Sequence, residues 1–554
     1  MMQQAPLTLN MVRERLAALY SDKAVTTRFR DRIHVMTYRE VLQRAGRLAN
    51  AIRECGVGRG ARVATLAWNS HRHLELYLAV PCMGAVLHTI NARFSPADIE
   101  KLLAHAEDEL LFVDQSIWRI VRGEIHIPAS VRRVVVMEDE DIDGTPTSPN
   151  SPDLACGRYE DFVGGHSSDF SWPSLDESEA SGLCYTSGTT GDPKGVLYSH
   201  RSTTLHTLAC LFADGIAMRE REVCMPAVPM FHANAWGFPY AAMMAGAALA
   251  LPCRQTDPAS LIELIAAARV TMGTAVPTVW SDFLDHIRSN PASIPLIASL
   301  KRLPVGGAAV GRSLIDGFAA FGIEIMHCWG MTEISPLGLT NVERSDLSPG
   351  DRQAARTAQG LPIPGCVTRI VDEDGCPLPW DGTASGELQV RSPWAAAGYF
   401  GGRVHPGPNR PEASFAGKEG HEWLRTGDIA TIDANGYVRI VDRTKDLIKS
   451  GGEWISSQAL EARLTDHPDV REAAAIGRPH PKWQERPVAC IVLRHDTPES
   501  RRRFEKQFRT YMSQAFLKWQ IPDEVRFWSD LPKGKTGKID KTTLRRQLTR
   551  MDEN

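Results

Sequence analysis

The sequence lacks the features that mark several classes of protein. Its 11 cysteines include no CxxC pair, so we expect reduced thiols of an intracellular protein rather than a disulfide framework or a structural zinc site. The N-terminal segment has no uninterrupted apolar core and does not resemble a signal peptide. The 63 Lys+Arg nearly balance the 66 Asp+Glu, so the total charge does not predict a nucleic-acid partner.

One uncharged stretch is long enough to cross a bilayer. Residues 223–253 contain no Asp, Glu, Lys or Arg. Four prolines interrupt this stretch, and His232 and Asn234 lie near its middle. A lipid-exposed helix would leave backbone groups without hydrogen bonds at these breaks. We therefore expect a buried strand, turn and helix beside an apolar cavity, with a membrane span as the alternative.

Length and pattern predict an α/β protein of several domains. The 554 residues correspond to three or four domains at about 150 residues each. Helix patterns at 38–52 and 96–106 alternate with strand patterns at 62–67 and 110–114, which predicts a mostly parallel sheet covered by helices. Residues 143–178 are rich in Gly, Pro, Ser and Asp and predict a loop that leads into a strand.

The pattern changes in the last third of the chain. Short β-like runs follow residue 365, and the turn Ala434-Asn435-Gly436 predicts a hairpin. An α+β pattern resumes after the charged stretch 442–446. Residues 446–554 hold 21 Lys+Arg against 16 Asp+Glu, whereas the rest holds 42 against 50. A basic C-terminal part suits an anionic ligand, and ordinary surface variation is the alternative.

The segment from Leu183 to Val196 carries the clearest functional pattern. A strand leads into six consecutive Gly, Ser or Thr residues, followed by a single lysine: Thr186, Ser187, Gly188, Thr189, Thr190, Gly191 and then Lys194. Glycines let backbone N–H groups approach phosphates, hydroxyls add hydrogen bonds, and the lysine adds charge. Gly195 follows the lysine where a P-loop has Ser or Thr. We predict a phosphate-binding loop of a different type; a simple turn is the alternative.

This loop resembles that of the adenylate-forming superfamily, which includes acyl-CoA synthetases, nonribosomal adenylation domains and beetle luciferases. Five further segments resemble the motifs of that superfamily in the same order: 305–309, 327–333, 423–428, 442–456 and 532–538. The resemblance extends over residues 37–546. The segments Val228–Tyr240 and Ile448–Ser456 are most similar to those of bacterial fatty acyl-CoA synthetases for long and medium chains.

The resemblance implies an architecture and a reaction. It implies a large N-terminal domain over 1–441, with helix-covered, mostly parallel sheets and a small β-rich subdomain. A hinge over 442–446 and a small mobile α+β C-terminal domain over 447–554 would follow. ATP, Mg²⁺ and coenzyme A would convert a carboxylic acid through an acyl adenylate into a thioester. A cytoplasmic homodimer without a transmembrane segment is expected, and peripheral membrane contact stays open.

Individual residues take roles by the same resemblance. Lys538, Glu333, Thr186 and His232 are the candidate catalytic residues, and Thr186 and Glu333 would bind Mg²⁺. Candidates for ATP or AMP binding are the six loop residues, Lys194, Gly307, Ala308, His327, Trp329, Thr332, Asp428, Arg443, Lys445, Lys449 and Trp454. Lys445 is the hinge position, and Gly451 and Gly452 would leave a passage for the pantetheine arm of CoA.

Some of these residues also have a structural interpretation. Trp329 would stack on adenine and Asp428 would bind the ribose hydroxyls, supported by Arg443. A core tryptophan and a buried Asp–Arg salt bridge are the alternatives. Lys538 shares its loop with Lys533 and Lys535, and only the Thr-Gly-Lys context distinguishes it from a solvated surface charge.

The acid substrate is the least defined part of the resemblance. Phe231, Trp236, Phe238 and Met243 suit an apolar acyl tunnel, and the resemblance implies that Trp236 is its gate. Because each buried CH₂ contributes only about 0.8 kcal/mol, preference for chain length is graded. We expect medium- to long-chain acids, and the alternatives are 3-methylthiopropionate, delivery to a carrier protein, a luciferase-like oxygenase and a non-catalytic nucleotide sensor.

The catalytic-lysine motif predicts unequal effects on the two half-reactions. Lys538→Ala should lower acid-dependent pyrophosphate release about 10²–10³-fold, because a charged donor to the transition state is lost. Thioester formation from supplied acyl adenylate should stay mostly intact. Each half-reaction is measured separately, and an equal loss in both would contradict this role.

Overall fold

A computed structural model describes residues 2–139, 146–148, 150–151, 153–186, 193–401, 415–416, 423–451, 453–534 and 539–553. The helices of these residues are α1 (Asn10–Leu19), α2 (Tyr38–Glu54), α3 (His71–Cys82), α4 (Pro96–Ala106), α5 (Gln115–Val121), α6 (Tyr159–Val163), α7 (His200–Leu211), α8 (Ala233–Trp236), α9 (Phe238–Ala245), α10 (Pro258–Ala268), α11 (Pro277–Ser289), α12 (Arg312–Ala319), α13 (Pro349–Ala355), α14 (Ser457–Thr465), α15 (Pro498–Ser513) and α16 (Lys541–Glu553). Short 3₁₀ helices span Pro291–Ile297 and Thr332–Ile334.

The strands of the same residues form four sheets. They are β1 (Ala24–Arg28), β2 (Ile33–Thr37), β3 (Arg62–Leu66), β4 (Val86–Thr89), β5 (Leu110–Asp114), β6 (Arg133–Met137), β7 (Ala155–Arg158), β8 (Ala180–Tyr185), β9 (Gly195–Ser199), β10 (Val223–Pro226), β11 (Ala248–Leu251), β12 (Met272–Thr274), β13 (Arg302–Val305), β14 (Glu324–Gly330), β15 (Leu337–Thr340), β16 (Leu361–Pro362), β17 (Val367–Val371), β18 (Ser385–Arg391), β19 (Phe415–Ala416), β20 (Trp423–Ile432), β21 (Val438–Arg443), β22 (Ile448–Ser450), β23 (Glu453–Ile455), β24 (Val470–His480), β25 (Gln484–Leu493) and β26 (Glu524–Phe527).

Two large sheets, both parallel at their centres, form the N-terminal part. One has seven strands in the order β7-β6-β5-β3-β4-β8-β9, and only the β8–β9 pair is antiparallel. The other has nine strands in the order β16-β15-β14-β13-β12-β10-β11-β1-β2. Strands such as β5 are buried along their whole length, because helices cover both faces of a parallel sheet. In the seven-stranded sheet, the phosphate-loop segment begins directly after the carboxyl end of β8.

Two smaller sheets complete the fold. Strands β17, β18, β20 and β21 pair antiparallel, and β19 lies beside β20. In the C-terminal part, β24 and β25 form a long hairpin, and β22 and the parallel strand β26 pair with β25 at different points along its other edge. The mixed α/β fold class predicted from the sequence is thereby confirmed.

Local patterns predicted several elements correctly. Helix α2 begins after Thr37, whose side chain accepts the Glu40 N–H while the Glu40 carboxylate accepts the Thr37 N–H in a capping box. Helix α4 and strands β3 and β5 also match, and the predicted hairpin is β20–β21 around Gly436, which has a φ of +88°. All eleven cysteines are free thiols.

The loop predicted over residues 143–178 is wrong in part. Strand β7 and helix α6 lie inside it. Tyr159, Phe162 and Val163 are buried in the main core, so three apolar residues within one turn outweigh the polar composition around them. The uncharged stretch 223–253 folds as β10, α8, α9 and β11. Among the described residues, no helix is long and apolar enough to span a membrane.

Candidate active site

The phosphate-loop segment leaves strand β8 and returns on β9. The Thr186 N–H donates to the Lys194 carbonyl over 2.9 Å and joins the two arms at their base. Gly195 opens β9 and packs against Phe400, since a Cβ added at Gly195 would lie 3.1 Å from the Phe400 Cβ. The candidates Ser187, Gly188, Thr189, Thr190 and Gly191 lie outside the described residues. Thr186 and Lys194 thus lie opposite each other at the two ends of this loop.

Glu333 lies in a short 3₁₀ turn beside the same loop. Its side chain is buried, and its backbone carbonyl accepts the Ala396 N–H over 2.7 Å. The Tyr198 hydroxyl, which comes from β9, donates to the Thr332 carbonyl over 2.8 Å. The Tyr198 hydrogen bond joins the Thr332–Glu333 segment to β9, the arm of the loop that follows Lys194. Thr332 itself is partly exposed at this position.

Tyr399 connects the carboxylate of Glu333 with the ammonium of Lys194. The Tyr399 hydroxyl donates to Glu333 Oε1 over 2.8 Å. The Lys194 Nζ lies 5.1 Å from the centroid of the Tyr399 ring, which is within the range of a cation–π contact. The sequence does not single out Tyr399, because no local motif indicates a hydrogen bond to a glutamate 66 positions away. Its only local signal is the aromatic pair that ends the run Ala395-Ala396-Ala397-Gly398.

A buried carboxylate joins two sheets at the end of β14. Asp428 on β20 accepts the Trp329 Nε1–H of β14 over 2.8 Å. Its other oxygen lies 3.2 Å from the Arg443 Nε on β21. Asp428 is 4% exposed, and each carboxylate oxygen keeps a second lone pair for a further donor. The predicted salt bridge and the predicted nucleotide contacts are therefore compatible at this residue.

His327 lies beneath the segment Gly306-Gly307-Ala308. Its ring is buried, its Nδ1 has no hydrogen-bond partner, and burial lowers its pKa to about 4. The imidazole is therefore neutral at physiological pH and offers an unsatisfied polar atom. Gly307 has a φ of +82°, whereas Ala308 is exposed. A Cβ at Gly306 would lie 2.8 Å from the Cys328 carbonyl oxygen and 3.5 Å from the Trp236 ring.

The predicted acyl residues lie around an unusual turn. Residues 233–236 all have positive φ, between 43° and 58°, in a region that is costly for residues with a Cβ. Trp236, at the end of this turn, is partly exposed and packs on the main core. Phe231 and Phe238 are buried. The His232 N–H donates to the Pro229 carbonyl over 2.9 Å.

The hinge candidates form a tight turn after β21. The N–H groups of Asp446 and Leu447 both donate to the Arg443 carbonyl, over 2.8 and 3.0 Å. Lys445 is exposed at this turn, and none of the described backbone hydrogen bonds uses its N–H. The buried Asp442 carboxylate accepts the Ser457 N–H at the start of α14 over 2.6 Å.

The remaining C-terminal candidates lie on the β22–β23 hairpin. Lys449 Nζ lies 5.2 Å from the Trp454 ring centroid, and Trp454 is 48% exposed. Gly451 has a φ of +65°, and a Cβ there would lie 2.9 Å from Trp483. Among the described residues, no hydrogen bond or ion pair joins this hairpin to Trp329 or Glu333. Gly452, Lys535 and Lys538 lie outside the described residues, and Lys533 pairs with Glu472 over 2.7 Å.

The donors at the site suit a magnesium ion that is shared with a ligand. The described residues contain no group of three or more His, Cys, Asp or Glu that could hold a metal. Thr186 and Glu333 offer one hydroxyl and one carboxylate, which leaves most coordination positions to phosphate oxygens and water. Mg²⁺ prefers such an arrangement because it gives up its waters reluctantly.

Comparison with known proteins gives consistent matches along the chain. A family model described as AMP-binding enzyme matches residues 13–400, and one described as AMP-binding enzyme C-terminal domain matches residues 459–538. A long-chain-fatty-acid–CoA ligase of Thermus thermophilus is 44% identical over 96% of this chain and 94% of its own length. A 3-methylmercaptopropionyl-CoA ligase of Ruegeria pomeroyi is 42% identical over 92% and 91% of the two chains.

A solved structure shares the fold over the whole length. The crystal structure of an anthranilate CoA ligase in complex with anthranoyl-AMP has a TM-score of 0.83 and 23% sequence identity. The match covers 100% of both chains. At this level of identity the likeness concerns the fold alone.

The contact between Trp329 and Asp428 predicts a specific loss. Trp329→Phe keeps an aromatic face but removes the donor to Asp428, so the affinity for ATP should fall about tenfold through the lost orientation of the carboxylate. Calorimetric titration with ATP measures this change. Trp380→Phe, at a half-exposed tryptophan of the β-rich part, is the control and should bind ATP normally. An unchanged ATP affinity in Trp329→Phe would contradict the assigned contact.

Proposed function

Because the chain belongs to the AMP-binding enzyme family, we propose that it is an ATP-dependent acyl-CoA ligase for medium- to long-chain carboxylic acids. The carboxylate would attack the α-phosphorus of ATP and form an acyl adenylate as the bond to pyrophosphate breaks. The thiolate of CoA would then attack the acyl carbonyl and release AMP. The convergence of Asp428, Trp329 and Arg443 with the Thr186, Lys194 and Glu333 cluster is the observation that carries this proposal.

The nucleoside would bind against the carboxyl end of β14. Trp329 offers an aromatic face for adenine, and the free lone pairs of Asp428 would accept the ribose hydroxyls. The Arg443 guanidinium, whose Nε lies 3.2 Å from Asp428, would orient the carboxylate. The unpartnered Nδ1 of His327 would meet the edge of the base beside Gly307 and Ala308. This arrangement would give the buried Nδ1 atom of His327 a hydrogen-bond partner.

The triphosphate would bind between the loop and Glu333. Backbone N–H groups of residues 187–191 and the Lys194 ammonium would neutralise charge on the phosphates. Thr186 and Glu333 would hold Mg²⁺, which supplies Lewis-acid stabilisation of the phosphate oxygens when it is bound. Thr332 would fix the backbone beside Glu333. Lys538 would bridge the acid carboxylate and the phosphate during adenylation.

The second half-reaction would need the C-terminal domain to turn. We assign residues 1–441 to the body, 442–446 to the hinge and 447–554 to the mobile domain. After adenylation, rotation at Lys445 would withdraw Lys538 and bring the Gly451–Gly452 turn over the site. Lys449 and Trp454, which lie exposed on the same hairpin, would then contact the adenylate. The positive surplus after residue 446 would attract the CoA phosphates.

The acyl chain would lie beside the left-handed turn that carries Trp236. Phe231, Trp236 and Phe238 provide apolar surface, and His232 lies between Phe231 and Trp236 in the sequence. The similarity to a long-chain ligase favours a long acid. A short acid such as 3-methylthiopropionate is the second candidate, since the Ruegeria relative is 42% identical. Transfer to a carrier protein, a homodimer, a cytoplasmic location and peripheral membrane contact stay predictions.

The hinge assignment predicts a separable defect. Lys445→Pro removes no described backbone hydrogen bond but fixes φ near –65°, so adenylation should stay within about twofold while thioester formation falls more than about tenfold. Lys445→Ala is the control and should keep both half-reactions. Normal CoA turnover by Lys445→Pro would contradict a rotation at this residue.

The substrate assignment is tested by a panel of acids. Straight-chain acids from propionate to stearate, 3-methylthiopropionate and benzoate are assayed for AMP formation with and without CoA. We expect kcat/KM to rise about fourfold for each added CH₂ until the tunnel ends, and multiple turnovers only with CoA. A maximum at 3-methylthiopropionate would select the second candidate, and AMP formation that ignores CoA would contradict the ligase reaction.

A further inference from the structure

Tyr399 separates two opposite charges that would otherwise pair. Glu333 is 8% exposed, and its carboxylate accepts the Tyr399 hydroxyl over 2.8 Å. The Lys194 ammonium lies over the face of the same ring, 5.1 Å from its centroid. The structure describes Lys194 and Glu333, and no ion pair joins them. One aromatic side chain thus satisfies the carboxylate with its hydroxyl and the ammonium with its ring.

The backbone around Tyr399 is fixed to both of its partners. Three residues before it, the Ala396 N–H donates to the Glu333 carbonyl over 2.7 Å. One residue after it, the Phe400 N–H donates to the Gly195 carbonyl over 2.8 Å, next to Lys194 in the chain. The position of the tyrosine is therefore set by the same two segments whose charged groups it holds. A displacement of either segment would be transmitted to the ring.

Without this tyrosine, Lys194 and Glu333 would be expected to form a direct ion pair in the empty site. A carboxylate and an ammonium in a half-buried pocket attract each other more strongly than they would in water. A direct Lys194–Glu333 ion pair would occupy the carboxylate that Mg²⁺ needs and the ammonium that the phosphates need. The Tyr399 hydroxyl donates to Glu333 Oε1, so it can stay in place while Oε2 binds Mg²⁺ and the Lys194 ammonium turns to the phosphates, and no strong ion pair has to be broken first.

We propose that Tyr399 is a positioning residue that keeps Glu333 and Lys194 apart and aimed at Mg²⁺ and the triphosphate. This role rests on the proposed adenylation function, because it concerns the same nucleotide site. Tyr399 acts through Glu333 on metal binding and through Lys194 on phosphate binding. Its hydroxyl and its ring therefore have separable effects.

The first test removes the hydroxyl alone. Binding of the β,γ-imido analogue of ATP is measured by calorimetry as a function of Mg²⁺ concentration. In Tyr399→Phe the Mg²⁺ concentration at half-saturation should rise about tenfold, since a hydrogen bond to a charged group is lost. Binding of the analogue without metal should stay within about twofold. Tyr437→Phe, which loses a buried hydroxyl bonded to the Val342 carbonyl over 2.7 Å, is the control and should keep the wild-type Mg²⁺ dependence.

The second test removes the ring. Tyr399→Leu should also weaken metal-free binding of the analogue about tenfold, because Lys194 is then drawn to Glu333. Adding Glu333→Gln to this variant removes that competitor and should restore metal-free binding to within about twofold of wild type. A variant that is merely misfolded would not be rescued by a second substitution.

The outcomes separate this role from the proposed function. An unchanged Mg²⁺ dependence in Tyr399→Phe, or a Tyr399→Leu defect that Glu333→Gln does not relieve, would overturn the positioning role. Both measurements are of binding and need no turnover. A wild-type protein that binds the analogue normally but forms AMP from none of the acids in the panel would instead overturn the proposed function. The binding measurements on the Tyr399 variants would still decide the positioning role.

Discussion

The proposed nucleotide site depends on the buried carboxylate of Asp428. Asp428 accepts the Trp329 indole N–H over 2.8 Å and pairs with Arg443 over 3.2 Å, and it thereby ties the large parallel sheet to the small antiparallel sheet. Arg443 is also the last residue of β21 before the hinge turn. A charge that is buried in this way must stay paired, so the aromatic face of Trp329, the carboxylate proposed to bind ribose and the start of the proposed hinge are held in one arrangement.

The phosphate side uses a related arrangement of short contacts between distant segments. Strands β8 and β14 both end at this site, and in parallel sheets ligands bind outside the carboxyl ends of the strands. Tyr198 and Tyr399 then join the Thr332–Glu333 turn to the loop arm at Lys194. The charged groups are thus positioned by neutral hydroxyls and an aromatic ring. Such contacts keep the Lys194 ammonium and the Glu333 carboxylate apart, and they stabilise these charges less than phosphate and metal would.

Sequence patterns predicted the parts of this protein that local chemistry decides. The capping box at Thr37 and the turn at Gly436 depend on neighbouring residues, and the glycine-rich loop is recognisable because phosphate binding needs consecutive N–H groups. Tyr399 could not be found in this way, because its importance comes from contacts between distant segments. The α6 helix was missed for a similar reason, since burial of Tyr159 and Phe162 in the core outweighs a loop-like composition. Nothing in the sequence indicated that residues 233–236 would have four consecutive positive φ angles.

The proposed reaction depends on an acyl adenylate that forms at this site and stays bound until CoA arrives. Rapid mixing of the protein with ATP, Mg²⁺ and a long-chain acid, without CoA, measures that step directly. We predict a burst of about one pyrophosphate per chain, with the acyl adenylate retained, followed by its discharge to thioester and AMP when CoA is added. The absence of a burst with every acid tested, or a burst whose adenylate CoA does not discharge, would contradict the account.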